Sequence, residues 1–174
     1  MASPEPKKFS IRSATESDLP ALGPIERQAH SVRYGMAGLG AVADLPPTTI
    51  ERLRQGPCFI ACGLDQKPLG FALASRLEGD ALLECLAILP EFSGGGLGRA
   101  LVEAVRVWAR EAGSAGLLVC TYRDIPWDAP FYARMGFAEV PHRLWTGPMH
   151  RLQREATALG HDPARRLWMR LGLI

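Results

Sequence analysis

The segment Gly94-Gly95-Gly96-Leu97-Gly98 stands between an apolar run and the most regular helical pattern of the chain. Glycines let a backbone approach a ligand closely with its N–H groups free. N–H groups at a helix start also carry the positive end of the helix dipole. Such a turn suits an anion, a phosphate or pyrophosphate above all. A Gly-rich turn that only joins strand to helix would read the same on this segment alone. Two familiar phosphate fingerprints fail. For G-x-G-x-x-G, the last position is Arg99 when counted from Gly94 and Leu101 when counted from Gly96. No Lys-Ser/Thr follows the glycines, so the Walker pattern is absent as well. An NAD or ATP enzyme is therefore disfavoured.

The elements that must hold this turn can be read from periodicity. Phe9, Ile11 and Ser13 alternate with polar residues, which predicts a first strand. Thr15-Glu-Ser-Asp18 has the form of a capping box, and a helix over 16–32 follows. The stretch 35–47 is rich in Gly, Ala and Pro and reads as an apolar loop; 48–54 makes a short helix. Three strands are expected at 58–63, 68–76 and 81–89, the last two joined by a hairpin at 77–80. Leu97, Leu101, Ala104, Val105 and Trp108 then repeat at helical spacing, with Gly113 where a C-terminal cap belongs. A buried strand at 116–121 comes next. Asp128-Ala-Pro-Phe reads as a cap and first turn of a short helix to Met135, and a strand is expected at 136–140. A helix at 148–159 and a strand at 166–173 complete the order, which indicates an α/β domain with a mixed sheet.

Composition narrows the functional classes. The chain has 174 residues, 47% hydrophobic and 22% charged, enough for one domain with a real core. Residues 1–8 read as a disordered tail and 9–174 as that domain. Lys+Arg is 20 and Asp+Glu 18, so no basic excess calls for nucleic acid or an acidic membrane surface. Cys58, Cys62, Cys85 and Cys120 form no C-x-x-C pair and lie in apolar runs. They read as reduced, buried thiols in a cytoplasmic setting, not as a disulfide scaffold or zinc site. The N-terminus shows no apolar signal-peptide region, and no apolar run is long enough to span a membrane.

Leu86-Ala-Ile-Leu-Pro-Glu-Phe-Ser-Gly-Gly-Gly-Leu-Gly-Arg-Ala-Leu101 resembles the acetyl-CoA binding motif of the GNAT superfamily of N-acetyltransferases. Gly96 and Gly98 match its two small residues, while Ser93 stands where Arg or Gln is usual. Phe131-Tyr-Ala-Arg-Met-Gly-Phe137 is similar to the family's F-Y-x-x-x-G-F, and 123–132 resembles its D-V-P-W-N-A-P-F-Y form, with Asp128 in place of Asn. The likeness extends over about residues 9–140.

That resemblance implies the GNAT fold: a mixed, mostly antiparallel sheet flanked by helices, with a V-shaped splay between two parallel central strands. It implies acetyl-CoA as cosubstrate, with no metal. The pantetheine arm would lie along Leu86, Ala87 and Ile88. The pyrophosphate would sit on the N–H groups of Gly94, Gly95, Gly96, Leu97, Gly98 and Arg99. Tyr132 matches the family tyrosine that protonates the departing thiolate. Glu84, a carboxylate in an apolar strand, is the expected base, and a solvent-facing glutamate is the other reading of it. The Ile88 N–H is the expected donor to the thioester carbonyl. The acceptor would be a primary amine of a small molecule or peptide, handled by a protein that can be a homodimer. A non-catalytic acyl-CoA sensor is the alternative. His30, Arg33 and Tyr34 fall where the family walls its acceptor site, and Trp127 either floors the site or packs the core. The basic bias of 141–174 reads as a solvated face.

Overall fold

The computed structural model describes residues 8–173, so most of the expected tail lies outside the described residues. Seven strands form one sheet: β1 (Ser10–Ser13), β2 (Cys58–Cys62), β3 (Pro68–Leu77), β4 (Asp80–Ile88), β5 (Gly116–Tyr122), β6 (Ala138–Glu139) and β7 (Arg166–Gly172). Their spatial order is β1-β2-β3-β4-β5-β7-β6. Every neighbouring pair is antiparallel except β4 and β5, which run parallel. The α-helices are α1 (Leu19–Met36), α2 (Gly40–Ala43), α3 (Ile50–Gln55), α4 (Leu97–Glu111), α5 (Ala129–Arg134) and α6 (Gly147–Ala158).

Period-2 alternation sorts the sheet into two faces. Leu83, Leu117, Val119, Leu167 and Met169 pack under α4 and α5, against Leu101, Val102, Val105 and Tyr132. Ile60, Phe71, Leu73 and Ala87 face the other way and meet Leu19, Leu22, Ile25 and Ala29 of α1. Leu82, Leu118 and Trp168, on the α1 side, are covered by Met149 of α6. The amphipathic pattern of α4 thus does what its spacing predicts, and Gly113 takes the left-handed backbone (φ 74°) that ends it.

Three local differences from the sequence reading have physical causes. The Asp18 carboxylate is engaged by Arg12 of β1 (2.7 and 3.0 Å) and by the N–H and hydroxyl of Thr15 (2.7 and 2.8 Å). Only the acid half of the capping box forms, and the helix begins at Leu19. The expected loop at 35–47 holds the last turn of α1 and a single turn, α2, which buries Val42 and Ala43. The strand expected at 136–140 shrinks to two paired residues, Ala138 and Glu139, against β7.

The site is prepared by two irregularities of β4. Leu73 pairs with Cys85 and Ala74 with Leu83, so Glu84 is the extra residue of a β-bulge. Parallel pairing with β5 is confined to Ala81–Leu83 against Leu117–Val119. Beyond Leu83 the two strands separate, and the β5-facing side of 84–88 has no strand partner.

Candidate active site

At the end of β4, Pro90–Phe92 forms a single 3₁₀ turn that delivers the glycine segment to α4. Gly94 and Gly96 sit at φ 81° and 86°, a region side-chain-bearing residues avoid. The N–H groups of Gly94, Gly96, Leu97, Gly98 and Arg99 meet no acceptor among the described residues. Five unpaired donors at the start of a fifteen-residue helix make the anion site that the sequence suggested. A groove of about 370 Å³ runs over this turn, lined by Leu86, Ile88, Ser93, Gly94, Gly96, Gly98, Arg99, Trp127, Phe131 and Arg134 among others. The side chains of two expected cofactor residues face elsewhere. Ala87 is 1% exposed and packs toward α1, with its carbonyl turned to Gly70 of β3, so only its neighbours Leu86 and Ile88 present main chain to the splay; Leu97 is 5% exposed, packs into the core below α4 and can offer only its N–H. Gly95 is exposed but is not part of the groove lining.

On the other side of the splay lies a cavity of about 260 Å³. Leu83 to Leu86 of β4, Val119 to Thr121 of β5, and Tyr132 line one part of it. Glu26, His30, Arg33 and Tyr34 of α1 line another, and Trp127, Asp128, His161 and Arg166 complete the wall. Groove and cavity share Arg33, Leu86 and Trp127, so they meet where β4 and β5 part. Both predicted catalytic residues are in this cavity.

Tyr132 is 6% exposed, and its ring packs edge-on against Phe131 and Phe137. Burial, with Asp128 adding to it, pushes its hydroxyl far above the usual tyrosine range. The phenol therefore stays protonated at working pH and is available as a donor. Glu84 lies on the bulge, where its backbone is exposed. Both of its carboxylate oxygens are held by the Arg52 guanidinium of α3, one at 3.0 Å from Nε and the other by Nη2. Its side chain is thus neither free in solvent nor free in the cavity.

Asp128 was expected to cap α5, but its side chain makes no capping hydrogen bond. It lies instead in the cavity wall, near the Thr121 hydroxyl and the Tyr122 N–H. Burial pushes its carboxyl up to about 6, an effect that those donors and Arg33 oppose and Arg166 opposes least. No cation among the described residues lies within ion-pairing distance of it. Glu26 is 6% exposed and accepts from the Thr48 N–H (2.8 Å) and hydroxyl (3.2 Å). Glu26, His30 and Cys85 bring donor atoms within 4.8 Å of one another. Burial raises the Cys85 thiol well above its ordinary value and lowers His30, so both are neutral in the absence of a metal.

At the far wall, Arg166 donates to His161 Nδ1 (2.9 Å) and to Cys120 Sγ (3.0 Å), and its guanidinium lies 5.3 Å from the Tyr122 ring centre. A guanidinium can only donate. His161 Nδ1 is therefore the unprotonated nitrogen, and the Tyr122 hydroxyl shares it at 2.7 Å. Burial, with the neighbouring Arg166 charge, lowers His161 to about 4, so it is neutral at physiological pH.

The family resemblance implies His30, Arg33 and Tyr34 at the acceptor wall and leaves Trp127 open between site and core, while Arg166 and His161 read as part of a solvated basic face; the structure puts all six in the cavity lining. One signal was available for Arg166. Its strand carries Leu167 and Met169 on one face and Trp168 on the other, apolar on both, which marks a strand covered on both faces.

Residues 55–139 match the family described as "Acetyltransferase (GNAT) domain". An aminoglycoside N(6')-acetyltransferase type 1 of Stenotrophomonas maltophilia is 33% identical over 120 residues, covering 60% of this chain and 69% of that protein. Among solved structures, the ribosomal-protein-S18-alanine N-acetyltransferase of Escherichia coli superposes with a TM-score of 0.65 at 20% identity, over 95% of this chain and 94% of that one. The PaiA N-acetyltransferase of Thermoplasma acidophilum, solved with coenzyme A, gives 0.67 at 16% identity, over 94% and 98% of the two chains.

Proposed function

Since the chain belongs to the GNAT family of acetyl-CoA-dependent N-acetyltransferases, we propose that it acetylates a primary amine of a small molecule or peptide, with the donor in the groove and the acceptor in the cavity. The observation that carries this reading is the meeting of groove and cavity at Leu86, Trp127 and Arg33, beside the unpaired edge of β4. The pyrophosphate lies on the free N–H groups of Gly94, Gly96, Leu97, Gly98 and Arg99, while the Gly95 N–H, expected to join them, donates to the Phe92 carbonyl at 3.4 Å. The pantetheine follows the backbone at Leu86 and Ile88, which brings the thioester to the splay. A relative solved with coenzyme A supports that choice of donor.

In the reaction the amine nitrogen bonds to the carbonyl carbon and the carbon–sulfur bond breaks. The ammonium, whose pKa is about 10 when unperturbed, must lose one proton to a base before it attacks, and the bonded nitrogen loses a second as the amide forms, which balances the proton finally taken up by the thiolate. An Ile88 N–H hydrogen bond polarises the thioester carbonyl. The Tyr132 hydroxyl supplies the donor to sulfur. Because burial makes this phenol a weaker acid than a thiol, it acts chiefly by hydrogen bonding to the developing thiolate.

Two carboxylates compete for the role of base. Glu84, expected from the sequence, would work through water, but Arg52 already occupies both of its oxygens. Asp128 has no ion-pair partner and its carboxyl lies near 6, where a base is ionised yet still basic at neutral pH. That observation favours Asp128. Release of free CoA from acetyl-CoA across an amine panel tests the proposal, with Glu84→Gln and Asp128→Asn compared in the same assay. CoA binding without turnover on any amine would instead support an acyl-CoA sensor.

A further inference from the structure

Two cations lining the acceptor cavity, Arg33 and Arg166, have no carboxylate partner among the described residues; Arg33 also lines the groove, whereas Arg166 lines the cavity and not the groove. Its chain neighbour Arg165 pairs with Asp124 at 2.9 Å, and Arg170, on the same strand, pairs with Asp80 at 2.7 Å. Arg166 has no carboxylate within 4.0 Å among the described residues. Its neighbours are a thiol, a neutral imidazole and an aromatic ring. Two of its five N–H groups are used, and Nε is buried without any partner.

A half-buried guanidinium without a counter-charge is costly to fold around, and packing alone would favour a neutral side chain. Its surroundings also keep the charge concentrated. His161 is held with Nδ1 as acceptor, which leaves Nε2–H as a donor and adds no negative charge. On other walls of the same cavity Asp128 and Glu26 are carboxylates, and the charge of Glu84 is already neutralised by Arg52. The cavity therefore has cations at Arg166 and, where it opens to the groove, at Arg33, with carboxylates on its other walls. A polycationic acceptor would have to place ammonium groups against an uncompensated guanidinium. An acceptor with one ammonium and one carboxylate meets a partner at each.

We infer that the acceptor is a primary amine that also carries a carboxylate, as an amino acid does, and that Arg166 binds the carboxylate. This rests on the proposed acetyl transfer in the cavity and names its substrate class. Arg166 is a specificity residue and takes no part in bond making.

The test uses matched acceptors: alanine, glutamate, phenylalanine and methionine, each as the free amino acid and as its α-amide, with an aminoglycoside as the polycationic comparator. CoA release gives kcat/KM for each. A charge-assisted, bidentate contact predicts a preference of about 10- to 100-fold for the carboxylate of a well-fitting pair. Arg166→Met should collapse that ratio toward one, and Arg166→Lys should keep part of it. Binding is read separately by calorimetry of the N-acetyl amino acids and their N-acetyl amides with the CoA-saturated wild-type protein. The carboxylate forms should bind tighter by a similar factor. Equal or better use of amides or of the aminoglycoside, or a ratio unchanged in Arg166→Met, overturns the inference while leaving acetyl transfer intact. Failure of every amine to turn over sinks acetyl transfer instead, and calorimetry still decides whether the cavity selects a carboxylate.

Discussion

Asp128→Asn separates catalytic need from folding need in one residue. The substitution keeps the size of the side chain and removes its charge. In the fold the carboxyl titrates near 6 against an ordinary value of 3.8, chiefly because burial penalises the anion. A group whose folded pKa is raised favours folding below its unfolded pKa, and that contribution is lost as pH rises through the folded one. Above about pH 6 the ionised Asp128 is therefore a burden on stability. Two units correspond to about 3 kcal/mol, and discounting for the part of the group that still meets solvent leaves roughly 1–3 kcal/mol. Asp128→Asn should melt higher than wild type at pH 7.5, by about 2–4 °C per kcal/mol for a chain of this size. The difference should be mostly gone by pH 4, where the folded wild-type group is protonated and the unfolded one about half so. Activity should move the other way. Wild-type kcat/KM should fall about tenfold between pH 7 and pH 5, as the ionised fraction drops from about nine-tenths to about one-tenth. The variant should lose about 10²-fold or more in kcat/KM, together with that acidic limb. Melting curves from pH 4 to 8 and pH–rate profiles on one acceptor provide both readouts. A variant less stable than wild type at pH 7.5, or one that keeps the wild-type limb, refutes the reasoning.

Tyr132→Phe removes one oxygen and keeps the packing against Phe131 and Phe137. We expect kcat and kcat/KM to fall together by about 10²-fold with CoA affinity unchanged, and a wild-type rate would make Tyr132 a core aromatic only. Gly98→Val tests the phosphate turn more cleanly than a change at Gly96, whose positive φ would strain any side chain. A Cβ at 98 meets the Phe131 ring at 3.6 Å and Leu86 Cδ2 at 3.9 Å, both ordinary contacts, so the protein should fold while CoA binding measured by calorimetry weakens at least tenfold; unchanged affinity would remove the pyrophosphate from this turn. Asp18 is held well below the usual carboxylate range by Arg12 and Thr15. Asp18→Asn should lower Tm at pH 7, with the gap to wild type closing as pH falls below about 4; a gap that does not vary with pH would mean that the carboxylate charge is not what fastens β1 to α1.

What the sequence disclosed, and what it withheld, follows from the range over which each interaction acts. The glycine turn and α4 are local: spacing, helix dipole and backbone freedom fall within twenty residues, and the structure reproduces them with five unpaired N–H groups at the helix start. Tyr132 was legible because its motif fixes it one turn after Asp128. The partner of Glu84 was not, since Arg52 lies 32 residues away and reaches β4 only once α3 packs beside the bulge. Asp128 was misread for a related reason. Standing two residues before a first-turn proline it looks like a cap, and only the fold of β5 brings Thr121 and Tyr122 close enough to turn its side chain inward. Arg166 depends on the longest-range event of all. It pairs across the sheet with Tyr122, 44 positions earlier, because β7 inserts between β5 and β6 instead of taking an edge. That insertion carries a cation from a segment with a basic bias into the wall of the cavity. Beside β5 the Arg166 guanidinium is held against Tyr122, Cys120 and His161, so its counter-charge must come from inside the site.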